Sequence, residues 1–421
     1  MTDPLKVALV ALNRPGYQSL ALGYVRAAAE RFPATAGRVA FQTLDLTSEM
    51  DPWWVAYRVL GMGPDVVGFS AYCWNARAVY DACRVIKRAA PRTTLVVGGP
   101  EAGPIAEEVL RANPDVDAVV HGEGEVTFAE LLAAMLDGSP LHAVPGVTAR
   151  DGEEVVSAPD REPIEDLDSL PSPYLSGVLT PIDGGTYLES YRGCPYECAY
   201  CYESKGIRRI RRFSDERIRA EIHLVANSPD VTNFSFIDSV FNLTDSRLEW
   251  FAQVLEPYAR KGLRLHTIEV DIERIDSEAA RLLKRAGVAS VEAGPQTVGA
   301  QALTECRRRF DPEAFAAGVA ALKAEGIRVE CDLIVGLPGD DVFDFLAGLR
   351  FCYELDPGII QSSTLHVLPG TDLWERADEL GLRYNPLPPH EVVATPNADY
   401  RDLRRAEVLS QAFQNSYRAR L

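Results

Sequence analysis

Gly193-Cys194-Pro195-Tyr196-Glu197-Cys198-Ala199-Tyr200-Cys201 puts three thiols within eight residues, at a Cys-x3-Cys-x2-Cys spacing. Thiolates this close on one loop suit a single metal group, and a compact loop can wrap a cubane iron–sulfur cluster whose irons take sulfur ligands. Three ligands for four irons leave one iron open. The competing readings are a zinc site completed by a distant residue such as Cys306 or Cys331, an electron-transfer ferredoxin site, and buried thiols that bind nothing. No fourth cysteine and no histidine at ligand spacing lies near the loop, which favours the cluster with an open iron.

The 421 residues, 47% hydrophobic and 25% charged, describe a globular chain long enough for two or three domains with separate cores. A formal charge of −18, from 43 basic and 61 acidic side chains, argues against nucleic-acid and anionic-membrane partners, since phosphate binding needs clustered Lys and Arg. The main basic run is 208–212. No signal-peptide pattern opens the sequence and no run of about 18 apolar residues could span a bilayer, so a cytoplasmic protein is expected. Eight cysteines, three of them in one loop, fit a reducing compartment better than a disulfide scaffold.

Around the cysteine loop the chain reads as α/β. Before it, apolar runs at 6–12, 39–46, 66–71, 93–98 and 118–121 alternate with helical patterns such as 76–90 and 128–136. That rhythm predicts a Rossmann-like, doubly wound parallel sheet over 1–138, with ligands bound beyond the carboxyl ends of its strands. Ser70, the Gly98-Gly99 pair and Glu123 fall at those ends. A connector over 139–182, rich in Pro, Gly and acids, contains a hairpin around Asp151-Gly152 and reads otherwise as a linker. Over 183–385 further strands end at Asp238, at 269–271, at 292–296, at 333–336 and near 365–367, with helices such as 277–286 and 312–324 between them. Six or so strands with outer helices predict an open, partial βα barrel, whose polar strand ends carry function. A helical extension over 386–421 is expected to dock as a closing element.

With Tyr200 directly before the third cysteine and the apolar Thr186-Tyr187-Leu188 ahead of the loop, the stretch resembles the cluster loop of the radical S-adenosylmethionine (SAM) superfamily. The resemblance implies that the open iron chelates the amino and carboxyl groups of SAM, and that the reduced 4Fe-4S cluster held by Cys194, Cys198 and Cys201 cleaves SAM to a 5'-deoxyadenosyl radical. Gln296 looks like the family's Gly-x-Gln/Glu-Ser position. Gly336 and Pro338 look like the glycine–proline strand end beside the adenine, and Glu269 with Asp271 fits an acidic slot facing SAM. Where many relatives have Gly-Gly-Glu for the SAM ammonium, this chain has Ile237-Asp238-Ser239, which assigns Asp238 to that region.

Ser70 and Gly98-Gly99 resemble the serine and glycine–glycine positions of cobalamin-binding domains, and Glu123 is counted with them. The order of such a domain, a linker and a SAM barrel resembles the cobalamin-dependent radical SAM class. One departure is plain: Asn13-Arg14-Pro15-Gly16-Tyr17 follows the first strand where Asp-x-His-x-x-Gly would supply a lower ligand to cobalt. His121 lies too far along the topology to take that position.

For that class the resemblance implies a methyltransferase that moves the methyl of methylcobalamin to an unactivated carbon or phosphorus. The partners it implies are a small-molecule or peptide substrate and an external electron donor of flavodoxin or ferredoxin type. A cobalamin-dependent rearrangement or ring modification, or a non-catalytic cobalamin or SAM sensor, stands as the alternative. A methylthiotransferase fits poorly, because it needs three more cluster cysteines ahead of the barrel, where only Cys73 and Cys83 exist. Arg307, Arg308 and Arg309 read as the solvated face of a helix. Cys73, Cys83 and Cys352 read as core thiols, and Tyr72, Trp74 and Asn75 either line the cofactor space or pack.

Overall fold

Strand β1 (Leu5–Asn13) is apolar at every position from Val7 to Leu12 because both of its faces are covered. Ala8, Val10 and Leu12 join a core with the helices Pro52–Leu60, Ala76–Ala89 and Ala106–Ala112; Val7, Leu9 and Ala11 join another with Leu20–Arg31 and Gly124–Asp137. With β2 (Val39–Thr47), β3 (Val66–Ser70), β4 (Thr94–Gly98) and β5 (Ala118–Val120), the parallel order is β2-β1-β3-β4-β5. Winding therefore reverses at β1/β3, the position where open sheets of this kind bind ligands.

The structure is a computed structural model that describes residues 3–203, 207 and 209–418. It divides into two compact units, Met1–Gly185 and Thr186–Leu421. The hairpin expected in the connector forms, but it is no separate linker feature. β6 (Val147–Asp151) pairs antiparallel with β5 and β7 (Glu154–Ser157) with β6, so the parallel sheet becomes a mixed one of seven strands. Buried Val147 and Ala149 belong to the core under β5, which is why the connector folds onto the first unit.

In the second unit β8 (Tyr187–Leu188) leads to a short antiparallel ribbon of β9 (Tyr191–Arg192) and β10 (Arg211–Arg212). Then come β11 (Asn233–Phe236), β12 (Arg264–Glu269), β13 (Val288–Glu292), β14 (Arg328–Val335) and β15 (Ile359–Thr364). The six strands β8, β11, β12, β13, β14 and β15 are neighbours in chain order, all parallel, as an open βα barrel requires. Along β14 burial alternates, so Val329, Cys331, Leu333 and Val335 pack outward while Glu330 and Asp332 share the opposite face. A hairpin of β16 (Arg383–Tyr384) and β17 (Val392–Ala394), then the helix Tyr400–Arg418, complete the unit, the helix packing on β15 and the helix Val342–Leu355. No helix among the described residues is long and apolar enough to cross a membrane.

Candidate functional site

The β9–β10 ribbon closes the cysteine loop at its base. Gly193 begins the loop at φ +102°, where a Cβ would stand 2.9 Å from the Arg209 carbonyl oxygen, so only glycine fits without strain. The middle is fixed by backbone bonds: Ala199 N–H donates to the Cys306 carbonyl at 2.9 Å and its own carbonyl accepts from Leu373 N–H at 3.0 Å. All three cysteines are half-buried, and among the described residues none is in a disulfide. Burial pushes the Cys194 thiol up. N–H donors approach the other two sulfurs: Glu203 N–H lies 3.4 Å from Cys201 Sγ, and Arg308 Nη1 lies 3.6 Å from Cys198 Sγ.

Asp238, read from sequence as a SAM-side residue, lies instead beneath the loop's entry, 2% exposed. Its Oδ1 accepts from Ser190 N–H at 2.8 Å and its Oδ2 from the Ser190 hydroxyl, to which Arg247 donates in turn. Arg247 is 3.8 Å from the carboxylate and stacks over Phe251, its charge centre 4.8 Å from the ring. Burial outweighs these partners and pushes Asp238 up to about 6. Next door, the Ser239 hydroxyl donates to the Gly193 carbonyl at 3.0 Å, and Tyr191 Oη donates to the Val240 carbonyl at 2.9 Å. The turn after β11 thus holds the start of the cysteine loop.

Across the strands Glu269, Glu292 and Glu330 are register partners on β12, β13 and β14. Asp332 lies two residues beyond Glu330 on the same face. Although part of its surface meets solvent, the protein around Glu269 and the Glu292 charge push it up to about 7; burial and Glu292 push Asp332 to about 8. Asp332 Oδ1 is buried with no hydrogen-bond partner. Gln296, at φ +64°, bridges to β14, its N–H donating to the Asp332 carbonyl at 3.0 Å. Asp271 accepts from the Tyr196 hydroxyl of the cysteine loop. Gly336 and Pro338 are both buried, and a Cβ on Gly336 would meet Val392 at 2.8 Å and Leu403 at 3.1 Å. The closing extension therefore seats directly on this strand end.

In the first unit Ser70 and Gly98 are register partners at the ends of β3 and β4. Gly99 follows at φ +108°, with the space for a Cβ filled by the Ala71 carbonyl at 2.5 Å. Asn75 is buried and ties the switch point together, its amide donating to the Leu12 carbonyl at 3.0 Å and the Ser70 carbonyl at 3.1 Å. Tyr72 and Trp74 stack with centroids 4.4 Å apart, Trp74 remaining 61% exposed. Glu123 does not reach out from the edge: its carboxylate accepts from Ile164 N–H at 2.7 Å and holds the connector. His121 has both ring nitrogens engaged, Nδ1 with Asp160 at 2.7 Å and Nε2 with Thr148 at 3.2 Å. Cys83 and Cys352 are core thiols as expected, whereas Cys73 is only half-buried.

Arg308 corrects the reading of the arginine run. The helix Ala300–Glu305 ends at Cys306, Arg307 reverses the chain at φ +51°, and Arg308 turns in toward Cys198 and Tyr200 instead of lying on a solvated face. The zinc alternative loses Cys331 as a ligand, while Cys306 is buried next to the loop, its carbonyl holding Ala199 N–H. Cys331 is buried on β14 beside the Cys352 thiol, and among the described residues no three His, Cys, Asp or Glu side chains converge on a single ion. A cubane places each thiolate on its own iron, so its ligands stand around the cluster without converging on a point.

Two family models match in succession: the B12 binding domain over residues 36–132 and the radical SAM superfamily over residues 188–352. The chain carries a B12 binding domain followed by a radical SAM domain. It is 34% identical over 263 residues to the cobalamin-dependent radical SAM methyltransferase TokK of Streptomyces tokunonensis, a match covering 58% of this chain but only 37% of TokK. It is 25% identical over 395 residues to an anaerobic magnesium-protoporphyrin IX monomethyl ester cyclase of Rubrivivax gelatinosus, covering 88% of this chain and 68% of the cyclase. Among solved structures, the radical SAM methyltransferase TsrM of Kitasatospora setae, with cobalamin and a 4Fe-4S cluster bound, shares the fold at TM-score 0.73 and 19% identity, over 96% of this chain and 81% of that one.

The residues present fit an iron–sulfur cluster, a cationic ligand and cobalamin. Half-buried sulfurs with N–H donors aimed at them suit an anionic thiolate-bound cluster. A row of carboxyl groups with an orphaned buried oxygen suits a cationic ligand. The switch point of the first sheet, where winding reverses at β1/β3, suits a bulky ligand beyond the strand ends.

Proposed function

We propose that this chain is a methyltransferase that uses a 4Fe-4S cluster, SAM and cobalamin to methylate an unactivated carbon of a small-molecule or peptide substrate, with electrons from a flavodoxin or ferredoxin type donor. The observation that carries this reading is the succession, in one chain, of the B12 binding match and the radical SAM match with the three-cysteine loop near its start. When bound, these groups supply the reducing electron, the hydrogen-abstracting radical and the methyl group.

The chain's own part is holding and orienting. Cys194, Cys198 and Cys201 would ligate three irons and leave the fourth to SAM. Glu269 and Gln296, with the carboxyl row behind them, would hold the positively charged SAM, whose charge would draw the raised carboxyl groups back toward ionisation. Gly336 and Pro338 would flank its adenine, and Tyr200, fixed by Arg308, would close the loop over it. Asp238 acts one layer down, by pinning Ser190. Ser70, Gly98 and Gly99 would line cobalamin. Glu123 would act indirectly, through the connector, and His121, with both ring nitrogens engaged by Asp160 and Thr148, would not serve as a ligand to cobalt.

With its true substrate under anaerobic reduction, the protein is expected to form 5'-deoxyadenosine and S-adenosylhomocysteine together, in step with a product one methyl group larger. The long match to a ring-forming cyclase favours ring modification as the second reading. A product of unchanged carbon count, without S-adenosylhomocysteine, would replace methylation by that reading. Absence of 5'-deoxyadenosine under every condition would leave a sensor.

A further inference from the structure

Arg308 is held as though to present one positive charge to one sulfur. Its Nε donates to the Pro295 carbonyl at 3.2 Å and its Nη2 to the Gly294 carbonyl, which fixes the guanidinium plane. Nη1 is then directed at Cys198 Sγ, 3.6 Å away, and Tyr200 Oη, 3.2 Å away. Among the described residues no carboxylate bonds to it, Glu273 acting on it only at longer range; its direct acceptors are two carbonyls, a phenol and the thiol. A half-buried guanidinium among neutral acceptors is costly unless an anion completes the site. The helix that delivers it also supplies the Cys306 carbonyl that anchors Ala199, so the charge and the loop are fixed by one element.

We propose that Arg308 is the fixed countercharge of the cluster loop, a positioning residue that holds the anionic cluster at Cys198 and makes its one-electron reduction easier. The proposal rests on the cluster reading above. Three thiolates make the oxidised cluster net negative, and an electron from the external donor adds one more negative charge without moving a proton, because arginine stays charged. A permanent cation with an N–H donor at a ligating sulfur stabilises the reduced form and raises the potential. Neighbouring Arg307 does not share the role, since it pairs with Asp372.

The test compares wild type with Arg308→Lys, Arg308→Gln and Arg308→Met after anaerobic reconstitution. Iron and sulfide are measured first, then the electron paramagnetic resonance of the reduced cluster is titrated with dithionite and mediators. At a fixed potential the Gln and Met variants are expected to show at least a tenfold lower ratio of reduced to oxidised cluster, about 59 mV for a one-electron couple, while Lys stays near wild type. Cluster loss in Gln and Met with retention in Lys also supports the countercharge. A Gln or Met variant that titrates with wild type overturns it, as does cluster loss in all three variants, which would make Arg308 a shape-bound scaffold. Failure of wild type to bind four irons would instead overturn the cluster reading beneath it.

Discussion

Cys198→Ala protein, reconstituted anaerobically, is expected to hold no complete 4Fe-4S cluster and to form 5'-deoxyadenosine only at background, the largest loss any single substitution here should cause. Cys198 is the sulfur that Arg308 addresses, and it begins the turn in which Cys201 N–H donates to its carbonyl at 3.0 Å. Removing Sγ takes away an iron ligand and also strands the guanidinium against an alanine methyl. The buried Cys331→Ala and Cys352→Ala variants serve as controls and should keep their iron. Iron and sulfide assays with chromatography of the nucleoside check this. Four irons and four sulfides in the Cys198 variant would move the cluster elsewhere.

Asp238→Ala is expected to lower unfolding free energy by about 3–5 kcal/mol, the usual cost of leaving one charge of a buried pair without its partner. Here the stranded charge is Arg247, 6% exposed, whose Nε already lacks a hydrogen-bond acceptor. Because the two sites share one network, Asp238→Asn with Arg247→Met should cost less than the sum of the single changes. The pH dependence has a definite sign. The folded carboxyl holds its proton up to about 6, against an ordinary aspartate value of 3.8, so its contribution is present below about pH 4 and is lost as the pH rises through about 6. Urea titrations from pH 4 to 7 should therefore show a flatter stability profile in Asp238→Asn than in wild type. Equal slopes would mean that Asp238 titrates as it does in the unfolded chain.

Periodicity made the strands and barrel order legible, because each strand is short, apolar and followed by a helix that must cover it. The three cysteines were legible because their spacing is local. What sequence could not show were contacts between distant segments. Arg308 looked like its two neighbours, and only the reversal at Arg307 separates it from a solvated helix face. Asp238 occupies a cofactor-facing position in the order of elements, yet Ser190 and Arg247 draw it under the loop. Glu123 falls at the ligand edge in sequence, but a backbone N–H forty-one residues later takes its carboxylate. The hairpin at Asp151-Gly152 was visible as a turn, while its addition to β5 depends on Val147 and Ala149 fitting a core assembled elsewhere.

The central claim is that the cysteine loop holds a cluster whose open iron receives SAM. Electron–nuclear double resonance of the reduced cluster, with SAM carrying nitrogen-15 at its amino group, tests it most directly. A nitrogen-15 coupling that appears with labelled SAM and disappears in Cys198→Ala is the expected result. A wild-type reduced cluster whose spectrum does not respond to labelled SAM would contradict the account.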